Sequence, residues 1–233
     1  KHSDVSQYIF MEKIDNILDN ILESLNEDFT SSIIIQTLSA LALLQTHKIS
    51  HNDLHLKNVF VEYITKETKF KGQTLHDADY FHYSIDGVDL YVPSTPFLIK
   101  MGDCGLSFKW SSPIVGNKAI AEGDYDIVPN WYSPNHDSMF FITQLFGFSK
   151  IKYPFLIKLI SWVLHGKKSM KLSQEVNSVE SDLMNCLEAE YLRPSLDSVD
   201  KFHAIPIDLL TNKFLMKDFL TKPSGKIVNL GSI

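Results

Sequence analysis

Cysteine is scarce in this chain. Only Cys104 and Cys186 occur among 233 residues, far apart and in no C-x-x-C pair. That argues against a disulfide framework, gives no support to a zinc site, and points to a reducing compartment such as the cytoplasm. An excess of positive charge is missing too. The net charge is -6, which disfavours wholesale nucleic-acid binding. Long apolar runs are also lacking. The best, residues 33–44 and 155–164, are interrupted by Gln36, Thr37 and Ser39 in one and Lys158 in the other. Both fall short of the ~20 apolar residues that a membrane span needs, so no membrane partner is expected. No secretory leader opens the chain, and the first residue is Lys1 rather than Met, which reads as a piece of a longer protein. No G-x-G-x-x-G occurs, and Gly166-Lys167-Lys168-Ser169 lacks the earlier glycine of a P-loop. No period suggests repeats. The length fits one large domain or two small ones, and 44% hydrophobic residues suffice for a sizeable core.

Two short polar stretches stand out. His51-Asn52-Asp53-Leu54-His55-Leu56-Lys57-Asn58 contains H-x-D-L-x-x-x-N and follows a helix-like run. Gly102-Asp103-Cys104-Gly105 is a D-x-G after strand-like residues 97–101. Phosphoryl transfer leaves a protein little covalent work; it must hold a hydroxyl in line and neutralise phosphate charge. A carboxylate that accepts the hydroxyl proton, plus a carboxylate and an amide oxygen for magnesium, suit that task, since magnesium prefers oxygen ligands.

In that order the two stretches resemble the catalytic loop and metal-binding turn of protein kinases. The chain therefore resembles the carboxy-terminal lobe of the protein-kinase-like superfamily. The resemblance implies an α+β, mainly α-helical fold: a kinase-like C-lobe over residues 15–222 with small β-hairpins around the catalytic loop. Asp53 becomes the base, and Asn58 and Asp103 the magnesium ligands. His55 stands where many kinases carry a lysine that touches the transferred phosphate, and Lys57 is the other candidate for that contact. Residues 1–14 become a hinge remnant. There Met11 is the gatekeeper, the Glu12 carbonyl and Ile14 amide face the adenine of ATP, and Phe60 lies beneath it. His51 packs and hydrogen-bonds under the D-x-G turn. Asp137 opens a helix and tethers the catalytic-loop backbone. Residues 103–134 become the activation segment, with Asn130-Trp131-Tyr132-Ser133-Pro134 in place of A-P-E. Asn52 replaces the arginine that pairs with a phosphorylated residue in regulated kinases, so activity is expected not to depend on that switch.

The function implied is ATP-dependent phosphoryl transfer to protein serine and threonine hydroxyls by the parent protein. The amino-terminal lobe, with its glycine-rich loop, strand lysine and helix glutamate, has no counterpart within this chain and is expected upstream. Without that phosphate clamp, the chain alone should turn over little, and Val59 and Phe60 should be left exposed. Residues 62–96 form an unusually long insertion. Asp86-Gly87 between β-prone runs signals a hairpin there, after a polar excursion at 66–79. This hairpin and Val92-Pro93-Ser94-Thr95 resemble serine/threonine kinases of large DNA viruses, which would place the protein in the host cytoplasm or the virion.

Elsewhere, Ile14, Ile17, Leu18, Ile21, Leu22 and Leu25 follow the spacing of one helix face. A second helix is predicted over 31–47 with Thr30 or Ser31 as its cap. Further helices are predicted over 153–165 and 179–191, and a terminal helix or pair of helices over 205–220, with a loose tail over 223–233. Lys150, Lys152, Lys158, Lys167, Lys168 and Lys171 read as a solvated basic face. His76, Asp77, Asp79 and His82 read as a solvated loop rather than a metal cluster. Two other functions share these motifs. His51-Asn52-Asp53-Leu54-His55 also resembles choline, ethanolamine and aminoglycoside kinases, whose second motif, however, usually lacks the glycine kept at Gly105. A pseudokinase-like interaction module would account for the missing clamp, against the intact Asp53, Asn58 and Asp103.

Overall fold

The computed structural model describes residues 13–111, 115–116, 122, 128–150, 152–171, 176–185, 187–188, 193–194 and 199–233. In chain order the elements are β1 (Asn16–Ile17), α1 (Leu18–Ile21), α2 (Glu27–Thr46), β2 (Ile49–Ser50) and β3 (Val59–Tyr63). The insertion then contributes β4 (Lys69–Phe70), β5 (Gln73–Thr74), β6 (Tyr80–Ile85) and β7 (Val88–Pro93). After it come β8 (Phe97–Met101), β9 (Phe108–Lys109), β10 (Val115–Gly116), α3 (His136–Phe148), α4 (Pro154–His165) and α5 (Val176–Met184). The chain closes with β11 (Leu187–Glu188), β12 (Arg193–Pro194), α6 (Pro206–Leu210) and β13 (Ile227–Ser232).

The core is built around α2. It starts four residues before the predicted position, because Asn26 rather than Thr30 caps it: the Asn26 side chain accepts the Phe29 N–H at 2.8 Å. Glu27 and Asp28 then occupy the first turn, where the helix dipole favours negative charge. The Thr30 hydroxyl turns back to the Asn26 carbonyl instead. Nearly every residue from Thr30 to Ala42 is buried, so α2 packs on all sides, against β2, β7, β8, α3, α4 and α6. At 20 residues, with a mean hydropathy of 1.3, α2 is long and apolar enough to cross a membrane. The short apolar runs of the sequence understated this. Its burial inside the fold accounts for that apolarity.

The predicted first helix is mostly absent. Asn16 and Ile17 are extended and pair antiparallel with Val61 and Phe60, while the Asp15 carboxylate accepts the Tyr63 N–H at 2.9 Å. Only α1 and a 3-10 turn at Leu22–Ser24 are helical. The apolar spacing survives because Leu18, Ile21 and Leu25 still enter the core. Sheet pairing of a β-branched residue overrides it at Ile17.

Strands β3 and β8 pair antiparallel, with Val59 opposite Met101 and Tyr63 opposite Phe97. Val59 and Val61 point inward and are fully buried. Exposure of Val59, expected for a lobe lacking its upper partner, is therefore corrected. Phe60 is half-buried.

The insertion forms two hairpins. Lys71-Gly72 turns the first, and Asp86-Gly87 turns the second with φ of 46° and 75°. Phe81, Tyr83 and Ile85 alternate inward with Leu90 and Val92 opposite. The expected loose tail is a second correction. Residues 227–232 run parallel to β6, from Ile227 opposite Tyr80 to Ser232 opposite Ser84. Val228 is buried, and Asp79 and Lys226 lock the entry, the Lys226 N–H donating to the Asp79 carboxylate at 2.7 Å.

α4 has Pro154 at its first turn, as predicted. α5 lies earlier than its predicted 179–191: it ends at Met184, and β11 and β12 pair beyond it. Where a terminal helix or pair of helices is expected stand α6 and a 3-10 turn at Lys217–Phe219. The basic stretch is not one solvated face. Lys152 donates to the Phe146 and Ser149 carbonyls at the end of α3, and Lys158 donates to the Leu215 carbonyl. Burial lowers the pKa of both amines.

Candidate active site

The catalytic-loop stretch leaves α2 through β2, and β9 pairs with β2 in return: Ile49 lies opposite Lys109 and Ser50 opposite Phe108. The Trp110 indole N–H donates to the Ser50 hydroxyl at 3.0 Å. The segment after the D-x-G turn is thus stitched to the segment before the loop.

One carboxylate fixes the loop from below. Asp137, in the first turn of α3, accepts the His51 N–H at one oxygen and the Asn52 N–H at the other, both at 2.7 Å. All three residues are buried, where charge-assisted bonds to a carboxylate are strong. Nearby, the Tyr132 phenol is raised in pKa, first by burial and then by the Asp137 charge. Gln144, about two turns along α3, accepts the Leu56 N–H at 3.2 Å.

Gly102 joins the loop to the D-x-G turn. Its N–H donates to the Asn58 carbonyl at 2.9 Å, and its carbonyl meets His51 Nε2 at 2.8 Å. His51 Nδ1 accepts the Asp53 N–H at 3.3 Å. With Nδ1 accepting, Nε2 carries the proton and donates to Gly102, the neutral tautomer. The Phe60 ring covers Gly102 so closely that a Cβ there would lie 1.8 Å from Phe60 Cε2. Any larger residue at 102 would have to displace that ring.

Asp103 itself is left-handed, with φ of 53° and ψ of 68°. Its carboxylate accepts the Gly105 N–H at 3.4 Å and is exposed, as is the free thiol of Cys104. Asn58 is buried, and its amide nitrogen donates to the Asp53 carbonyl at 2.8 Å and to Asp53 Oδ2 at 3.4 Å. With the nitrogen committed to the loop, the amide oxygen is the group it can present. His55 Nε2 stands 3.7 Å from Asp53 Oδ2, and Lys57 is exposed on the same loop. Asn52, left-handed at φ of 68°, donates its amide to the Leu106 carbonyl at 2.9 Å.

The fold therefore gathers Asp53, His55, Lys57 and Asn58 on one loop, with Asp103 one residue beyond the Gly102 bridge. Phe60 covers that bridge, and the chain after Ile14 runs along β3 to Phe60. Met11 and Glu12 lie outside the described residues, as does Cys186. Most of residues 112–127 do too, so the expected activation segment is described only at its two ends. Gln144, Trp110 and the Asn52–Leu106 bond were missed from sequence. Gln144 had one signal, a polar residue inside an apolar helical run. Among the described residues, no group of three or more His, Cys, Asp and Glu side chains is placed to hold a metal. Asp103 and Asn58 nevertheless offer an exposed carboxylate and an amide oxygen, the hard donors a magnesium ion takes alongside phosphate oxygens and water.

No family model matches the chain. Over 88 residues, 37% of this chain, the sequence is 34% identical to a protein of Invertebrate iridescent virus 6 described as "Probable serine/threonine-protein kinase 380R". The chain covers 15% of that protein's length. The similarity supports a kinase-like relation over the matched part.

Proposed function

We propose that this chain supplies the catalytic lobe of an ATP- and magnesium-dependent phosphotransferase acting on serine and threonine hydroxyls of protein substrates. The observation that carries the reading is the Gly102 bridge: two hydrogen bonds from one residue tie the Asn58 carbonyl and the His51 ring to the strand end that delivers Asp103. A base and two oxygen donors held this way suit in-line transfer of a phosphoryl group.

In this reading Asp53 takes the proton from the acceptor hydroxyl. The Asn58 amide on Asp53 Oδ2 orients that carboxylate, and His55 beside it places a donor near the transferred phosphoryl. Lys57 adds a cation on the same surface. Asp103 and Asn58 would hold a magnesium ion, whose charge would offset that of the phosphates. Asn52 is spent on Leu106 and carries no charge, so the loop is held without a phosphorylated partner. The adenine subsite would involve Met11, Glu12, Ile14 and Phe60, and the phosphate clamp would come from an amino-terminal lobe upstream. A cytoplasmic setting, in the host cell or a virion, fits the sparse cysteines.

The test is magnesium-dependent ATP binding by the parent protein, followed by phosphate release with basic proteins or with choline and ethanolamine as acceptors. The expected result is binding that Asp103→Ala abolishes, and turnover with basic proteins that Asp53→Asn abolishes while binding persists. Turnover with the amino alcohols alone would replace the protein substrate by a small one. No nucleotide binding in either form would leave an interaction module.

A further inference from the structure

A second concave site lies away from Asp53, Asn58 and Asp103. A cavity of about 680 Å³ opens between the second half of α2, β8, the β4–β5 hairpin, β6 and the carboxy-terminal strand β13. That volume lies in the range of small-molecule sites. The two elements foreign to a short kinase hairpin, the insertion and the tail strand, form much of its wall.

Its lining has three chemical parts. Leu43, Phe70, Leu98 and Leu230 supply apolar surface, and Leu43 is 49% exposed although it sits on the core helix. One hydroxyl lines the same cavity without a partner: Ser39 Oγ is buried and makes no hydrogen bond. The Tyr83 side chain, 6% exposed, lines the cavity beside it. Buried hydroxyls normally find a partner, and burial pushes the Tyr83 phenol far above its usual pKa, so it stays a donor. The third part is cationic. Lys69 and Lys71 line the cavity and are exposed, and neither is ion-paired among the described residues. The one carboxylate side chain of the lining, Glu62, is neutralised by Lys100 at 2.8 Å.

We propose that this cavity binds a single-chain anionic amphiphile, a fatty-acid-type carboxylate. The alkyl chain covers Leu43, Phe70, Leu98 and Leu230. The head group accepts from an unpartnered hydroxyl and is drawn by the lysines at the mouth. A peptide strand added to β8 would meet the Gln36 side chain, which already accepts the Ile99 N–H at 3.0 Å. The site does not depend on phosphoryl transfer, and its test reads binding alone.

The test is calorimetric titration of the chain with laurate and with dodecyltrimethylammonium, both below micelle formation. Laurate should bind at a single saturable site, and the cation of equal chain length should not. Ala40→Phe, which fills the cavity wall, should abolish laurate binding. The exposed pair Lys69→Glu and Lys71→Glu should weaken it about tenfold with the thermal midpoint unchanged. Raising the salt should weaken the native protein more than the doubly substituted one. Equal binding of the two amphiphiles, or undiminished laurate binding after the lysine reversal, overturns the proposal. The lysine variant carries the test if Ala40→Phe does not fold.

Discussion

The region around the loop at residues 51–58 and the insertion sheet are both built from short strands, yet they are held by different forces. Around residues 51–58, buried polar groups do the holding: Asp137, His51, Asn52 and Gln144 each satisfy a backbone partner from another segment, and Asn58 satisfies one within the loop. In the insertion, apolar side chains from β6, β7 and β13 do it, with Phe81, Ile85, Leu90, Val92 and Val228 inside. The first arrangement fixes individual atoms, which a site needs. The second fixes a surface and tolerates change in what lies outside it.

The sharpest way to break the first region is Asp137→Ala. It leaves the buried His51 and Asn52 amides without acceptors, and hydrogen bonds to charged groups are worth about 1.5–3 kcal/mol each. The expected loss is about 4 kcal/mol, read by urea denaturation, with Asp137→Asn retaining part of it. A loss under about 1 kcal/mol would mean that the loop holds itself.

The matching break in the second region is Val228→Asp, which puts a carboxylate against β6. A cost of about 3 kcal/mol is expected. Hydrogen exchange should rise across residues 80–93 and stay slow across 51–61. Uniform loosening of both would show that the two regions are one cooperative unit.

Gly102→Ala sharpens the contrast further. The new Cβ would strike Phe60, and displacing that ring should cost about 2 kcal/mol. Adding Phe60→Ala should recover much of it. If the double variant is no more stable than the single one, the ring is not what demands glycine.

The smallest effect belongs to Asp89 on the insertion. The His82 hydrogen bond lowers its pKa, with Ser84 adding to it, and the His82 ring stacks on Tyr91. A carboxyl lowered in the folded state adds stability that is complete above its unfolded value of about 4. That stability disappears as pH falls through the lower folded value. NMR titration should show the depressed value, and His82→Ala should return it toward normal.

Legibility followed the range of the interactions. The loop motif, the Asp86-Gly87 turn, Pro154 at a helix start and the contacts of His51 and Asp137 could be read from residue order, because each rests on a local signal or on the resemblance to kinases. The start of α2 was misplaced because Asn26 competes with Thr30 as a cap, and both are good acceptors. The helix predicted from Ile14 failed because the apolar spacing of a helix face also serves a strand followed by a turn.

By itself the sequence determined the chemistry available: which carboxylates, amide and imidazole stand close along the chain, and which turns can form. Only the tertiary structure decided that residues 227–232 lie beside β6 and that Phe60 covers Gly102. It alone placed the unpartnered Ser39 hydroxyl and the Tyr83 phenol in one cavity. Those outcomes depend on contacts between residues more than forty positions apart, whose cost in chain entropy is offset by burial that no local pattern encodes.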